Sequence, residues 1–395
     1  MYPTQQLRRL VRIKNGSDHS QVQDDLGEFP VYGSGGEFAR ASRPLYSGPS
    51  VLLGRKGTID RPLLVDGEFW TVDTMFCAQP YATVNPTFLY YACTTIPFDL
   101  LSTSTALPSM TQGDLNAVRL PAPETETQRL IAEFLDRETA KIDALIAKQN
   151  QLIATLREDR AATISHAVTK GLDPDADMKD SGVEGIGFIP DRWSTQRLKM
   201  LLVEPLTYGA NAAADDDSPE NPRYVRITDI DADGRLREET FRSLPPEVAA
   251  PYLLKEGDLL FARSGATVGK TFLYRSSWGT CCYAGYLIRA RLNQAKMIPA
   301  YLSYFAATTP YWHHVVSEQI QATIQNVSAE RYNELIVTVP PLFVQREIID
   351  HLDDLCGKID SLIAKSIEMI STLREYRSAL ITNAVTGKID VREAV

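Results

Sequence analysis

The sequence predicts an α+β protein with two mixed, strand-rich globular regions, each followed by a long helix, and the two helices paired as an antiparallel coiled coil. Three observations predict this fold class. One helical segment occurs twice, since residues 128–169 align without a gap to residues 345–386 with 23 identities in 42 positions. Apolar residues recur every seven positions in both copies, and short β-branched and aromatic runs bounded by glycine lie outside them. A repeat with a period of 217 residues is too long for a solenoid and indicates two half-proteins with pseudo-twofold symmetry.

The first globular region is predicted over residues 1–120. Residues 50–53, Ser-Val-Leu-Leu, are a short and mainly apolar run, and residues 69–73, Phe-Trp-Thr-Val-Asp, are rich in β-branched and aromatic side chains, which predicts two strands. Between them lies a glycine loop at residues 54–57, with the sequence Gly-Arg-Lys-Gly. Its glycines permit close backbone approach and leave Arg55 and Lys56 as exposed cations. Residues 86–93, which begin with proline, predict a short helix.

The first long helix is predicted over residues 121–170, after an acidic entry that contains proline. Its seam recurs every seven residues, the spacing of a coiled coil, at Leu135, Ile142, Gln149 and Leu156. Leucines three positions further on, with isoleucines beside them, predict a widened apolar stripe at Leu145, Ile146, Leu152 and Ile153. A helix of this length cannot be covered by its own domain, so we expect it to pack against its copy.

A linker rich in glycine and aspartate is predicted over residues 171–190, followed by a second globular region at 191–338 and a second long helix at 339–395. The second region predicts strands at 224–227, 258–262, 271–274 and 286–292, and a short helix at 299–305. The second helix repeats the seam at Leu352, Ile359, Ser366 and Leu373, and the stripe at Leu362, Ile363, Met369 and Ile370. Because Gln149 and Ser366 occupy the same step of the two copies, we predict that both lie near the middle of the helix pair.

The charge of the chain is acidic and evenly spread. The 395 residues include 41 basic and 50 acidic side chains, a net charge of −9, and none of the predicted regions is basic overall. We therefore expect this chain alone to bind nucleic acid weakly. No apolar run approaches the roughly 20 residues that cross a bilayer, and no secretory signal is visible. Five cysteines without a Cys-x-x-Cys pair suit a reduced compartment, so we expect a cytoplasmic protein with no metal site and no disulfide framework.

Residues 264–271 nearly spell a phosphate-binding loop. Their sequence is Ser-Gly-Ala-Thr-Val-Gly-Lys-Thr, with Ser264 where such loops have their first glycine, and the Phe-Leu-Tyr that follows favours a strand. A phosphate-binding loop requires a helix there, because the helix N-terminus receives the phosphate. The sequence favours instead a glycine loop that turns Arg263, Ser264 and Lys270 toward a phosphodiester backbone or base edges. A plain tight turn remains the alternative.

No catalytic constellation is recognisable in the sequence. The segment Asn85-Pro-Thr-Phe88 is close to the Asn-Pro-Pro-Tyr/Phe signature of amino-group DNA methyltransferases, but its third residue differs and no glycine-rich cofactor strand accompanies it. We therefore expect Asn85 to begin a turn or a helix. His313 and His314 have no carboxylate or cysteine at ligand spacing, which favours a structural role.

The order of several short segments resembles the specificity subunit of Type I restriction–modification systems. In the first half these segments are Tyr32-Gly-Ser-Gly-Gly36, Gly54-Arg-Lys-Gly57 and Phe69-Trp-Thr-Val-Asp73. In the linker and second half they are Met178-Lys-Asp-Ser-Gly182, Gly187-Phe-Ile-Pro190 with Trp193, Tyr224-Val-Arg-Ile-Thr-Asp-Ile230, Gly257-Asp-Leu-Leu-Phe-Ala-Arg-Ser-Gly265 and Gly269-Lys270. Both helical copies, entered at Gln128 and Gln345, resemble the helical regions of the family. The resemblance covers essentially the whole chain.

This resemblance implies a sequence-specific DNA-recognition subunit with no catalytic activity and no cofactor of its own. It implies two target-recognition domains that each read one half of a split site in double-stranded DNA, with the helices as a spacer. The implied partners are two copies of a modification methyltransferase subunit, which bind S-adenosylmethionine and methylate adenine, and restriction subunits in the full complex.

The candidate DNA-binding residues follow from loop chemistry and from the resemblance, and they are Ser34, Arg55, Lys56, Tyr208, Arg226, Arg263, Ser264 and Lys270. Two other functions remain open. One is a nucleotide-dependent enzyme that uses residues 265–271. The other is a coiled-coil scaffold whose globular regions read no DNA.

Overall fold

The computed structural model describes residues 1–101, 109–231, 234–320 and 326–391. They form two compact units. The first unit is residues 1–151 together with the chain from residue 366 onward, and the second is residues 152–365. The predicted fold class is confirmed, because each unit holds a strand-rich domain and one half of each long helix. The sequence predicts each long helix as one separate region, whereas in the structure each helix is divided between the two units.

The first unit combines an antiparallel sheet, a mixed sheet and short helices. Its described elements are β1 (Thr4–Gln6), β2 (Val11–Asn15), β3 (Phe29–Gly33), β4 (Gly36–Ala41), β5 (Tyr46–Ser47), β6 (Ser50–Gly54), β7 (Leu63–Val65), β8 (Glu68–Thr71), β9 (Met75–Pro80), α1 (Pro86–Thr94), α2 (Phe98–Leu101), α3 (Gln112–Ala117), β10 (Arg119–Pro121) and the first half of α4 (Thr125–Lys170). The antiparallel sheet has the order β2-β9-β6-β7, and the mixed sheet has the order β4-β3-β8-β5. Because β6 is buried along its whole length, it forms the centre of the unit.

The second unit repeats this plan. Its described elements are β11 (Met178–Asp180), β12 (Phe188–Pro190), β13 (Ser194–Arg197), β14 (Thr207–Tyr208), β15 (Arg223–Val225), α5 (Pro246–Ala249), β16 (Leu259–Ala262), β17 (Thr271–Leu273), β18 (Cys281–Tyr283), β19 (Leu287–Ala290), α6 (Pro299–Phe305), α7 (Thr309–Ile320), α8 (Ala329–Asn333), β20 (Ile336–Val339) and the first half of α9 (Leu342–Thr386). Its antiparallel sheet has the order β14-β19-β16-β17, which corresponds strand for strand to β2-β9-β6-β7. β16 is again buried along its whole length.

Most predicted elements are present, with local differences at their ends. The strands predicted at 50–53, 69–73, 258–262, 271–274 and 286–292 and both short helices agree within two residues. The strand predicted at 224–227 ends at Val225, because Ile227 opens a 3-10 turn. The long helices begin later than predicted, at Thr125 and Leu342. The chain just before them stays extended, because β10 pairs with β1 and β20 pairs with β13.

The two long helices pack against each other in antiparallel orientation, as predicted. In the first unit, Arg377 of α9 donates hydrogen bonds of 2.9 and 3.2 Å to the two carboxylate oxygens of Asp143 on α4. In the second unit, Nε of Arg160 on α4 lies 3.2 Å from Oδ1 of Asp360 on α9. The two arginines are repeat equivalents, and so are the two aspartates, so the same contact forms twice with the helices exchanged. Each unit thus joins the first half of one helix to the second half of the other.

Both helices also pack on the strand-rich domains. In the first unit, Leu135 of α4 and Ile381 of α9 belong to one hydrophobic cluster with Phe88 of α1. In the second unit, Val168 of α4 and Leu352 of α9 belong to one cluster with residues of β16 and α6. The helix pair and the domain therefore share a single core within each unit.

The helix seam differs in one respect from the prediction. Five of the predicted seam residues are buried, and they are Leu135, Ile142, Leu352, Ile359 and Ser366. The other three are half-buried, and they are Gln149, Leu156 and Leu373. The prediction that leucines three positions further on widen this seam is wrong, because the exposed fractions are 47% for Leu145, 44% for Leu152, 49% for Leu362 and 50% for Met369. At 3.6 residues per turn, position i+4 lies about 40° from position i around the helix, whereas i+3 lies about 60° away. The isoleucines at i+4 therefore complete the seam, and the residues at i+3 form an exposed apolar row.

The duplication extends from the helices into the domains. Oε1 of Gln128, near the start of α4, accepts a 2.8 Å hydrogen bond from the N–H of Asn85, and its Nε2 donates to the carbonyl of Pro123 at 2.8 Å. Its repeat equivalent, Gln345, makes the same kinds of bond near the start of α9. Each buried glutamine ties its long helix to the short proline-opened helix of the same unit.

Candidate nucleic-acid interface

The central strands β6 and β16 lead into equivalent loops. β6 ends at Gly54 and is followed by Arg55, whereas β16 ends at Ala262 and is followed by Arg263. Each strand lies between two antiparallel neighbours at the same place in its sheet. The glycine loops that carry Arg55 and Arg263 therefore begin at the same point of the fold.

In the first unit, the arginine loop lies beside the turn between β3 and β4. The N–H of Arg55 donates to the carbonyl of Thr74 at 2.8 Å, and the guanidinium of Arg55 lies 5.8 Å from the centre of the Phe76 ring. The hydroxyl of Ser34, in the β3–β4 turn, lies 3.7 Å from where a side chain at Gly57 would begin. Gly57 has a φ of +83°, which favours glycine. The structure thus brings Ser34 and the arginine loop together.

The two cations of this loop have different surroundings. Arg55 is half-buried, and its Nη1 lies 3.4 Å from the carbonyl oxygen of Asp73. Lys56 is exposed. The exposed ammonium of a lysine acts as a point charge and can bind a phosphate from many directions. A guanidinium that one contact already orients is better suited to an acceptor in a fixed direction.

In the second unit, three of the predicted residues lie together. The guanidinium carbon of Arg263 lies 4.6 Å from the centre of the Tyr208 ring, a cation–π contact. Nε of Arg263 donates to Oδ1 of Asn326 at 3.2 Å, and Ser264 forms a backbone bridge with the same asparagine. Lys270 is exposed at the other end of the loop.

The two loops remain equivalent beyond their strands. Ser109 and Asn326 each bridge the residue after the arginine, and they are one repeat period, 217 residues, apart. The next residues, Met110 and Val327, donate their N–H groups to the arginine carbonyls at 3.0 and 2.8 Å. The predicted repeat begins at Gln128, so these residues were missed. When the offset of 217 residues is applied upstream of Gln128, it pairs Ser109 with Asn326. This pairing is the signal in the sequence that could have identified these two residues.

Arg226 is not brought to this cluster. Its Nε and Nη2 donate to the two carboxylate oxygens of Asp229 at 3.0 and 2.7 Å, and Nη2 also donates to the carbonyl of Thr240 at 2.8 Å. The side chain of Asp229 is only 1% exposed. This geometry gives Arg226 a structural role, the neutralisation of a buried carboxylate, and its role in DNA binding stays a prediction.

We expect Arg226→Ala to lower the free energy of unfolding by about 2–4 kcal/mol, because a buried carboxylate loses its charged partner. Urea denaturation of the full chain measures this difference. Lys270→Ala, which removes an exposed cation, is the matched control and should change stability by less than about 0.5 kcal/mol. An Arg226→Ala variant as stable as the control would contradict the structural role.

The segments that resemble catalytic motifs have structural roles here. Residues 271–273 form β17, so the chain lacks the helix that a phosphate-binding loop requires after Lys270. Asn85 caps α1, because its Oδ1 accepts a 2.9 Å hydrogen bond from the N–H of Phe88. Nε2 of His314 lies 3.0 Å from the carbonyl oxygen of Arg331.

The surroundings shift the pKa of Glu330, which lies near Arg263, and of the two buried thiols of β18. A hydrogen bond from the Ser328 side chain, and more weakly the charge of Arg263, lower the pKa of Glu330. Burial raises the pKa of Cys281 to about 11 and that of Cys282 to about 12, so both thiols are protonated at neutral pH. Among the described residues, no three His, Cys, Asp or Glu side chains are grouped so that they could hold a metal ion.

Comparison with known proteins identifies the family. The sequence profile of the family described as "Type I restriction modification DNA specificity domain" matches residues 6–155 and 236–371. The chain belongs to this specificity family. Membership supports the DNA-specificity interpretation over the nucleotide-binding enzyme and the scaffold, and it confirms the resemblance noted in the sequence.

Named relatives of this specificity chain have low sequence identity to it but align over most of its length. The Type I restriction enzyme EcoBI specificity subunit of Escherichia coli is 22% identical over 352 residues, which cover 82% of this chain and 72% of that protein. The EcoKI specificity subunit of Escherichia coli strain K12 is 22% identical over 298 residues, which cover 73% of this chain and 61% of that protein. A chain in a solved structure described as "Structural basis underlying complex assembly and conformational transition of the type I R-M system" aligns with a TM-score of 0.74 and 16% identity over 98% of both chains. This alignment shows a shared fold.

Across the described part of the specificity chain, no helix is both long and apolar enough to span a membrane.

Proposed function

We propose that the chain is the DNA-recognition subunit of a Type I restriction–modification system, and that each unit reads one half of a two-part site in double-stranded DNA. The observation that carries this proposal is the equivalent loop at the end of the central strand in each unit. The fold presents the same positions twice, but their side chains differ, with Arg55 and Lys56 in one unit and Arg263 and Ser264 in the other. Because side chains read base edges, equivalent loops with different side chains support two different half-sites.

The acidic charge of the chain supports a division of labour with its partners. Contacts with phosphate supply most non-specific DNA affinity, and they require basic side chains. A chain with 41 basic and 50 acidic side chains has no net positive charge to add to such contacts. We therefore assign the selection of sequence to this chain and much of the attraction to DNA to its partner subunits.

The exposed apolar row supports binding of two copies of one partner. Leu145 and Met369 are exposed in the first unit, and Leu152 and Leu362 are exposed in the second. Leu145 and Leu362 are repeat equivalents, and so are Leu152 and Met369, so each unit exposes the same pair of positions. Contiguous exposed apolar surface is typical of a partner interface, and side chains seven residues apart on one helix face can contribute to such a surface.

The partner that we propose for this surface is a methyltransferase subunit, present in two copies, which binds S-adenosylmethionine and methylates adenine. Restriction subunits complete the assembly. In this proposal the chain itself has no catalytic role, binds no cofactor and works in the cytoplasm, where chromosomal and invading DNA are both accessible.

Sequencing of methylated bases tests the proposed function. The full chain is expressed with its methyltransferase partner in cells that lack other adenine methylation, and the methylated adenines are mapped. We expect one two-part site, with two specified half-sites separated by unspecified base pairs. Cells that express the methyltransferase alone are the control and should lack this pattern. A single uninterrupted site, or a pattern that does not depend on this chain, would contradict the proposal.

A further inference from the structure

We infer that Arg263 reads a guanine: its guanidinium is held in a fixed orientation, and its two terminal nitrogens are free to donate a bidentate pair to O6 and N7 of one base. This inference rests on the proposed function. It adds to that function the identity of one base and the residues that orient its reader.

The backbone of Arg263 is fixed on both sides. Its N–H donates to the carbonyl of Tyr286 at 3.0 Å, and its own carbonyl accepts from the N–H of Val327 at 2.8 Å. Arg263 directly follows the buried strand β16, so its Cα position is set by the core of the second unit. A residue anchored in this way loses little backbone entropy when it binds a ligand.

The side chain is fixed as well. The guanidinium carbon lies 4.6 Å from the centre of the Tyr208 ring, and the hydroxyl of Tyr208 accepts a 2.9 Å hydrogen bond from the N–H of Ala329. That bond holds the ring in place beneath the guanidinium. On the other side, Oδ1 of Asn326 accepts the Nε hydrogen of Arg263 at 3.2 Å. Tyr208 and Asn326 are therefore positioning residues for Arg263.

Within the described part of the chain, the terminal nitrogens of Arg263 make no hydrogen bond. A guanidinium has five N–H donors, of which the Nε donor is used by Asn326. Among the described residues, no acceptor takes a hydrogen bond from Nη1 or Nη2 of Arg263. Other arginines of the second unit differ, since the terminal nitrogens of Arg223 and Arg291 contact the carboxylates of Glu238 and Asp258. Those arginines neutralise charge within the protein, whereas the two terminal nitrogens of Arg263, called its fork below, have no acceptor among the described residues.

Guanine is the base that matches this fork. In the major groove it offers two neighbouring acceptors, O6 and N7, whereas adenine offers one acceptor beside an amino donor, and thymine offers one acceptor beside a methyl group. A fork held at its Nε end presents Nη1 and Nη2 side by side, which fits the guanine edge. A phosphate could accept the same pair, but that contact would carry no sequence information. The exposed ammonium of Lys270, on the same loop, is better suited to a phosphate.

Variants of Arg263 and of its positioning residues test the inference in the full chain expressed with its methyltransferase. Methylated-base sequencing measures the preference at each position of the half-site that the second unit reads. We expect Arg263→Ala and Arg263→Lys to lower the preference for guanine at one position by roughly 10- to 100-fold, because lysine keeps the charge but not the fork. Tyr208→Leu should weaken the preference at the same position, and Tyr208→Phe, which keeps the ring but loses the hydroxyl that holds it, should weaken it less.

Lys270→Ala is the matched control. It should lower methylation evenly at all sites without a change in base preference, because a phosphate contact acts on every sequence alike. If the Arg263 variants keep the full guanine preference, or change an A·T position, or lose all positions evenly, the inference is overturned. In each of those cases a wild-type pattern with a two-part site still supports the proposed function. A wild-type pattern without such a site contradicts the proposed function itself.

Discussion

Exchange of residues 1–121 for the corresponding domain of another family member should replace one half of the methylated site and leave the other half unchanged. The structure supports this junction, because β10 ends at Pro121 and pairs with β1 inside the exchanged segment. α4 begins only at Thr125 and stays intact. Each mismatched base pair costs about 1–3 kcal/mol, so a changed half-site of three base pairs should lower methylation of the original site by roughly a hundredfold or more.

The reciprocal exchange is the control for this experiment. Replacement of residues 194–339, which begin with β13 and end with its partner β20, should change the other half-site only. Sequencing of methylated bases reads both results. If either exchange leaves both half-sites unchanged while methylation persists, the globular domains do not read DNA and the chain is a scaffold.

Gln345→Leu should destabilise the chain by about 3–6 kcal/mol, the largest effect on stability that we expect from one substitution. Gln345 is fully buried at 0% exposure. Its Oε1 accepts from the N–H of Ile298 at 2.8 Å, and its Nε2 donates to the carbonyls of Lys296 and Pro340 at 3.0 and 2.8 Å. Leucine has a similar volume but leaves one part-buried donor, one part-buried acceptor and one buried acceptor without a partner, and each such group costs about 1–3 kcal/mol.

Thermal unfolding of the full chain measures this loss, and we expect the melting temperature to fall by about 6 °C or more. Gln151→Leu, at an exposed position of α4, is the matched control and should leave the melting temperature nearly unchanged. Gln128→Leu removes the equivalent contacts from the first unit and should reproduce the effect. A Gln345→Leu variant that melts with the control would show that these hydrogen bonds contribute little.

The fold could be predicted largely because its strongest signal is duplicated. The heptad seam and the repeat can both be recognised in the sequence itself. Ile142 and Ile359 can therefore be matched without knowledge of any tertiary contact. The exact register could not be predicted in the same way. Leu145 and Ile146 are equally apolar, so apolarity alone does not choose between them; Ile146 lies nearer to the seam residue Ile142 around the helix and is the more buried of the two.

The candidate site was predictable at its cations but not at the residues that hold them. Arg55 and Arg263 stand next to glycine loops, a local pattern, whereas Asn326 reaches Arg263 across 63 residues of sequence. Arg226 lies within a predicted strand, and its partner Asp229 is only three residues away, but the sequence pattern does not show that this carboxylate is buried. Burial depends on the whole fold and gives Arg226 its structural role, while its role in DNA binding stays a prediction.

The exchanged ion pairs, Arg377 with Asp143 and Arg160 with Asp360, carry a consequence for the origin of this chain. When two identical molecules form a closed dimer, residue i of the first meets residue j of the second, and j of the first meets i of the second. The pairs here have that reciprocal pattern on a single polypeptide. Together with the 23 identities between the two helical copies, this reciprocal pattern is what duplication and fusion of a half-length, homodimer-forming chain would leave.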